Sequence, residues 1–178
     1  MNVKQPRFLR HPGRFNPVRI TTVSSPYGRH VRLLLKPGET LFDAIVGPLS
    51  DLGIHSASTT ILGGIFDDLY YCVAPPDPEG RTVIAYSKPR HAGRSYMVFG
   101  NATLGISSEE KPLVHCHAVI LTESGDVMGG HIVTDQTIVG SKPCSVLVTS
   151  LDGFELHQAY DEETGISLLQ PVEVVSHV

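Results

Sequence analysis

The chain has 178 residues, 41% of them hydrophobic and 18% charged, with a net charge of −4. That length suits a single domain able to bury its own core, and the apolar content excludes bulk disorder. The 17 glycines and 13 prolines argue against a helical bundle. The charge is unevenly spread: residues 1–38 contain no acid and carry +8, and the remainder carries −12.

No run of about 18 apolar residues occurs, so no membrane-spanning helix is expected. The opening MNVKQPRFLRHPGRF has no apolar segment of the secretory type, and its prolines oppose a transit helix, so a cytoplasmic protein is expected. Cys72, Cys116 and Cys144 are scattered, with no C-x-x-C, and read as reduced, buried thiols. Neither G-x-G-x-x-G, a P-loop lysine nor G-x-S-x-G is present, which removes the commonest nucleotide-binding and serine-hydrolase chemistries.

Residues 1–29 form an irregular basic arm rich in Pro, Gly and Arg, and residues 30–178 form one domain. His30 to Lys36 reads as a strand. Thr40-Leu41-Phe42-Asp43 fits a capping box after the Pro37-Gly38 turn, and a helix over about 41–52 places Leu41, Ile45, Leu49 and Leu52 on one face. Gly53 stops it. Strands are then predicted at 56–62, 69–73, 82–87, 95–105, 113–122, 130–139, 145–150 and 154–160, separated by Gly, Pro and Asp turns. Asp67-Asp68, Glu109-Glu110-Lys111 and Asp161–Gly165 read as solvated turns. The architecture is α+β, mainly an antiparallel sheet or barrel with one principal helix.

Three of the nine histidines form a pattern. In LVHCHAVILTESGDVMGGHIV, His115 and His117 stand two apart on a strand, so both imidazoles share a face and Cys116 points away. Their Cα atoms lie about 6–7 Å apart, close enough to share a metal. A two-residue hairpin pairing Glu123 with Asp126 would set His131 opposite Ala118, on the wrong face. A bulge at Gly129-Gly130, or a three-residue turn, would move it opposite Val119 and onto the face of His117. Three neutral imidazoles then hold a divalent metal, for which zinc is the natural ion, with a fourth position open to water or a small-molecule ligand. Arg32, Glu39 and Glu123 are the nearest candidates for an acid or base, and no catalytic residue is assigned. His11, His30, His55, His91, His157 and His177 read as structural.

The order PGETL, amphipathic helix, Gly-Gly opening a strand, Gly100 after a strand, H-C-H and then GGHIV resembles the plant and prokaryote conserved (PPC) domain over residues 30–171. The tail FELHQAYDEETGISLLQP resembles that family's ending, where an aspartate-rich turn precedes a last short strand. The resemblance implies a compact α+β domain, a homotrimer, and a histidine cluster near a subunit boundary, carried here by His115, His117 and His131. The same arrangement resembles the zinc site of acetolactate decarboxylase, implying an alternative function as a zinc-dependent lyase or hydrolase acting on a small polar substrate. Plant members bind A·T-rich DNA through AT-hooks, which makes DNA a candidate partner. Pro12-Gly13-Arg14-Phe15 is no AT-hook, so Arg7, Arg10, Arg14 and Arg19 are the candidate nucleic-acid contacts, in a DNA-binding or regulatory protein. The basic arm is equally expected to pack on an acidic surface of a neighbouring subunit. A third reading, ranked below the regulatory and enzymatic ones, has the metal site merely staple the trimer.

Overall fold

A computed structural model describes residues 8–174. Strand β1 (His30–Leu35) leads to helix α1 (Leu41–Asp51), followed by β2 (Ala57–Ile61), β3 (Gly64–Asp68) and β4 (Tyr70–Cys72). Then come β5 (Arg90–His91), β6 (Ser95–Ile106), β7 (Pro112–Thr122), β8 (Val127–Ile132), β9 (Ile138–Val139), β10 (Cys144–Ser150), β11 (Phe154–Asp161) and β12 (Ile166–Glu173). The strands form one sheet ordered β1-β10-β2-β6-β7-β8-β4-β5, with β11–β12 and β3–β9 joined to it through β6. All pairings are antiparallel except a single contact of β11 with β6. No helix among the described residues is long and apolar enough to cross a membrane.

Thr40 caps α1: its Oγ1 accepts from the Asp43 N–H at 3.0 Å. The Leu41 and Phe42 N–H groups, orphaned at any helix start, donate to the Thr137 and Thr134 carbonyls. Gly53, at φ +64, ends the helix. Leu41, Ala44, Ile45 and Leu49 bury against the sheet with Phe66, Met97, Ile120 and Ile132. Burial of each large side chain contributes roughly 1.5–3 kcal/mol. Leu52, expected on the buried face, is 48% exposed, because the chain has already left the helix at that point.

Several predicted elements differ. Residues 82–87 form no regular strand. Ala85 and Ser87 donate to the Pro75 and Val73 carbonyls, but the facing stretch is rich in proline and lacks the N–H groups to complete a ladder. The span 130–139 divides into β8 and β9, and the turn between them serves the helix start. Asp67 and Asp68 lie in β3, a strand not anticipated, paired with β6 and β9. The last strand implied by the resemblance is β12.

The Asp161–Gly165 turn is not solvated: Asp161, Glu163 and Thr164 are buried. The basic arm covers it. The Gly13 N–H donates to the Glu163 carbonyl at 2.9 Å and the Asn16 N–H to Glu163 Oε2 at 2.8 Å. His11 reaches Glu163 Oε1, and Arg19 bridges Glu163 at 2.9 Å and Asp161 at 3.4 Å. The Asn16 N–H, then His11 and Arg19, hold the Glu163 carboxyl below its ordinary value. The acidic surface expected on a neighbouring subunit is thus present on the arm's own chain.

Gly13 sits so close to this turn that a Cβ would lie 1.9 Å from the Glu162 carbonyl oxygen. Gly13→Val should therefore lift the arm with little effect on the thermal midpoint of the domain. Trypsin cleavage after Arg19 should accelerate by about tenfold, equivalent to losing about 1.4 kcal/mol of docking. Equal cleavage rates in parent and variant would show that the arm is not held.

Candidate metal centre

Strand β7 alternates strictly: Val114, Cys116, Ala118 and Ile120 enter the core, while His115, His117, Val119 and Leu121 face out. Burial pushes the Cys116 thiol up to about 12, leaving it an inert core group.

His131 reaches the same face by a register that differs from both sequence alternatives. Glu123-Ser124-Gly125 makes a three-residue turn, with Gly125 at φ +87 and the Thr122 N–H bonded to the Asp126 carbonyl at 3.0 Å. That turn shifts the pairing in the opposite sense from the expected one, so His131 stands directly across from His117 and not Val119. No bulge occurs at Gly129-Gly130, where the β7–β8 ladder is continuous. Both glycines instead permit close approach. A Cβ at Gly129 would lie 2.6 Å from the Ala118 carbonyl oxygen, and one at Gly130 would lie 2.3 Å from that of Cys72, in the next strand.

The structure therefore brings all three histidines together. One nitrogen from each lies within 4.8 Å of the others, and ring centroids are 4.7–5.5 Å apart. Burial, and then His115 and His117, hold His131 down to about 4. His115 is lowered by burial first and by His117 second. Both rings are consequently neutral at pH 7, the form that ligates metals. His131 Nδ1 is buried with no hydrogen-bond partner. An orphaned imidazole nitrogen within a trio of imidazoles fits a divalent cation.

The trio lies on the wall of a cavity of ≈ 980 Å³. Ile84, Pro89, Leu113, Ile166 and Leu168 supply apolar walls; Tyr86, Asp135 and Gln158 supply polar atoms. The Tyr86 ring leans on His131 with centroids 5.1 Å apart, and burial, with a smaller contribution from Cys72, raises its phenol above the usual value.

The acid and base candidates from sequence lie elsewhere. Arg32 donates to Ser145 Oγ, Glu39 pairs with Lys36, and Glu123 sits at the hairpin tip beside Arg94; none lines the cavity. Sequence reasoning missed Tyr86, Asp135 and Gln158. Asp135 follows His131 by four residues, outside any strand alternation, and nothing local marks the other two. Of the arm's candidates, Arg10 and Arg14 are exposed, Arg19 is half-buried against the acidic turn, and Arg7 lies outside the described residues. His11, His30, His91 and His157 meet Glu163, Thr149, Asp68 and Glu155, outside the cluster. His177 also lies outside the described residues.

The family model of the Plants and Prokaryotes Conserved domain matches residues 23–152. Among curated proteins there is no match. Among solved structures, the fold resembles a metal-containing protein from Archaeoglobus fulgidus at 22% identity, covering 85% of this chain and 99% of that one, with a TM-score of 0.65. A plant- and prokaryote-conserved protein from Pyrococcus horikoshii is 19% identical, with 85% and 100% of the two chains covered and a TM-score of 0.63. A proposed DNA-binding protein from Ralstonia eutropha JMP134 is 20% identical over 83% and 93% of the chains, with a TM-score of 0.62. At these identities the likeness establishes the fold.

Proposed function

The chain belongs to the Plants and Prokaryotes Conserved domain family, and from that premise we propose a homotrimeric metal-binding protein whose zinc centre, at His115, His117 and His131, opens on a small-molecule site. One observation carries this reading: three imidazoles converge on a cavity wall, two of them held neutral, with one buried nitrogen lacking any protein partner. The metal-containing relative from Archaeoglobus fulgidus supports it. A zinc ion there would polarise a carbonyl or activate water, the chemistry of a lyase or hydrolase. Tyr86 and Asp135, which line the same cavity, are the chain's own groups that would orient a bound molecule and exchange a proton with it.

The trimer is supported by the outer face of β6, β7 and β8, where Tyr96, Phe99, Val119, Leu121 and Val127 are all exposed beside the histidines. A contiguous apolar face of this kind marks an interaction surface. His115 and His117 are continuous with it, in keeping with a centre near a subunit boundary.

Metal content and oligomeric mass, measured on the purified protein and on a His117→Ala variant, test both claims. The parent should hold one zinc per chain in a trimer, and the variant should keep the trimer without the metal. Loss of both would reassign the metal to stapling the trimer. A parent that takes up no zinc when offered a stoichiometric amount would overturn the metal reading.

A second reading, a DNA-binding or regulatory protein, is favoured by Arg10 and Arg14, both exposed on the arm, and by the role proposed for the relative from Ralstonia eutropha. Salt-dependent binding to duplex DNA supports it. No binding at about 50 mM salt, where phosphate contacts are strongest, would end it.

A further inference from the structure

We infer that the cavity beside the three histidines takes a small amphipathic molecule, with an oxygen-donor head at the histidines and an uncharged apolar body along Leu113, Ile166 and Leu168, and that it rejects polyanions. This deepens the metal reading and rests on it.

The cavity, at ≈ 980 Å³, is at the upper end of the size range of small-molecule sites, about 300–1,000 Å³. It is far larger than a metal-bound water or a two-carbon fragment needs. Its apolar lining includes side chains from three well-separated stretches of chain: Ile84 and Pro89, Leu113 on β7, and Ile166 and Leu168 on β12. Apolar side chains from all three line one space, and an apolar body lying along them would lose its contact with water on that side. Burial of a methylene is worth about 0.8 kcal/mol.

The polar groups set the other half of the specificity. Tyr86 lines the same cavity, with its ring tilted against that of His131 at a centroid distance of 5.1 Å. A phenol is protonated at neutral pH and can donate to a head-group oxygen. Gln158 is a second neutral donor on the lining, and among the described residues Asp135 is its one acidic side chain. Among the described residues no Lys or Arg lines the cavity. A second carboxylate or a phosphate entering it would be stripped of water without a protein cation to meet it, and would face the Asp135 carboxylate. Nucleic-acid phosphates, if they bind this chain, bind elsewhere. The small polar substrate expected from the sequence is thereby narrowed to one with a polar end only.

Hydroxamates provide the test, because their paired oxygens are general ligands for zinc and their chains can be varied. Acetohydroxamate, octanohydroxamate and citrate are titrated calorimetrically into the zinc-loaded full chain. The octanoyl compound should bind at least about tenfold more tightly than the acetyl one, since that gain requires burial of less than a third of its six extra methylenes. Citrate should bind more weakly than either. Leu168→Gln should remove most of the chain-length preference while leaving zinc and acetohydroxamate affinities unchanged, and Ile84→Gln provides the same measurement if the first variant fails to fold. Equal affinities for the two hydroxamates, or preference for citrate, would overturn the inference while zinc binding stands. A chain that binds no zinc would overturn the metal reading, and this inference with it.

Discussion

His131→Ala is expected to lower zinc affinity by more than about a hundredfold while leaving the metal-free protein as stable as the parent, or more so. Even partners one shell away from a bound metal change affinity by 10–100-fold when mutated, and a lost ligand should exceed that. The stability expectation has the opposite sign because His131 carries a buried nitrogen with no partner, and an unsatisfied buried polar group costs about 1–3 kcal/mol. Truncation removes that group and opens its space to the adjoining cavity, so no dry void replaces it.

The acid response follows from the same residue. With its pKa held down to about 4 in the folded protein, against an ordinary value of 6.5, His131 takes up its proton more readily in the unfolded chain. Stability of the metal-free parent should therefore fall as pH drops from about 6.5 towards 4, by about 1–3 kcal/mol. The variant should lack this component. Urea midpoints of both proteins at pH 7 and pH 4.5, with metal removed, give the comparison. Carboxylates such as Asp77, Asp152 and Glu163, which are lowered in both proteins, cancel in the difference. An equal acid loss in the two would show that His131 is not the depressed group.

Gly130→Val should be the most damaging single substitution near the site, costing about 2–4 kcal/mol and abolishing zinc uptake together. The added Cβ would fall 2.3 Å from the Cys72 carbonyl oxygen, which is backbone and cannot rotate away. Strand β4 would have to separate from β8, whose pairing runs Tyr71 to Ile132 and Cys72 to His131. His131 is thus held from both sides, by His117 on β7 and by Cys72 on β4. Thermal unfolding and a zinc titration on the variant check the two effects. A normally stable protein that still binds zinc would show that β4 is not needed to place His131.

The failure over Gly129-Gly130 shows how far local pattern extends. Side-chain alternation put His115 and His117 on one face without any knowledge of the fold, because that alternation belongs to the strand itself. His131 required the register between two strands, and the register depends on the turn. Glycines in the returning strand suggested a bulge, yet they are needed for close contact with Ala118 and with Cys72, a residue far away in sequence. The acidic turn at 161–165 shows the same limit: four consecutive polar residues look solvated until the arm is seen lying on them.

From the sequence alone followed the single capped helix, most of the strands, the family resemblance and the identity of the three histidines. Each depends on interactions between near neighbours: the Thr40 cap, the alternation of β7, the short spacing of H-x-H. Tertiary structure alone decided the pairing of His131 with His117, the docking of the basic arm on its own chain, and the cavity. These rest on contacts whose free energy exists only after distant segments meet. Tyr86, Leu113, His131 and Leu168 have no local relation to one another, and only the folded chain brings them to one space.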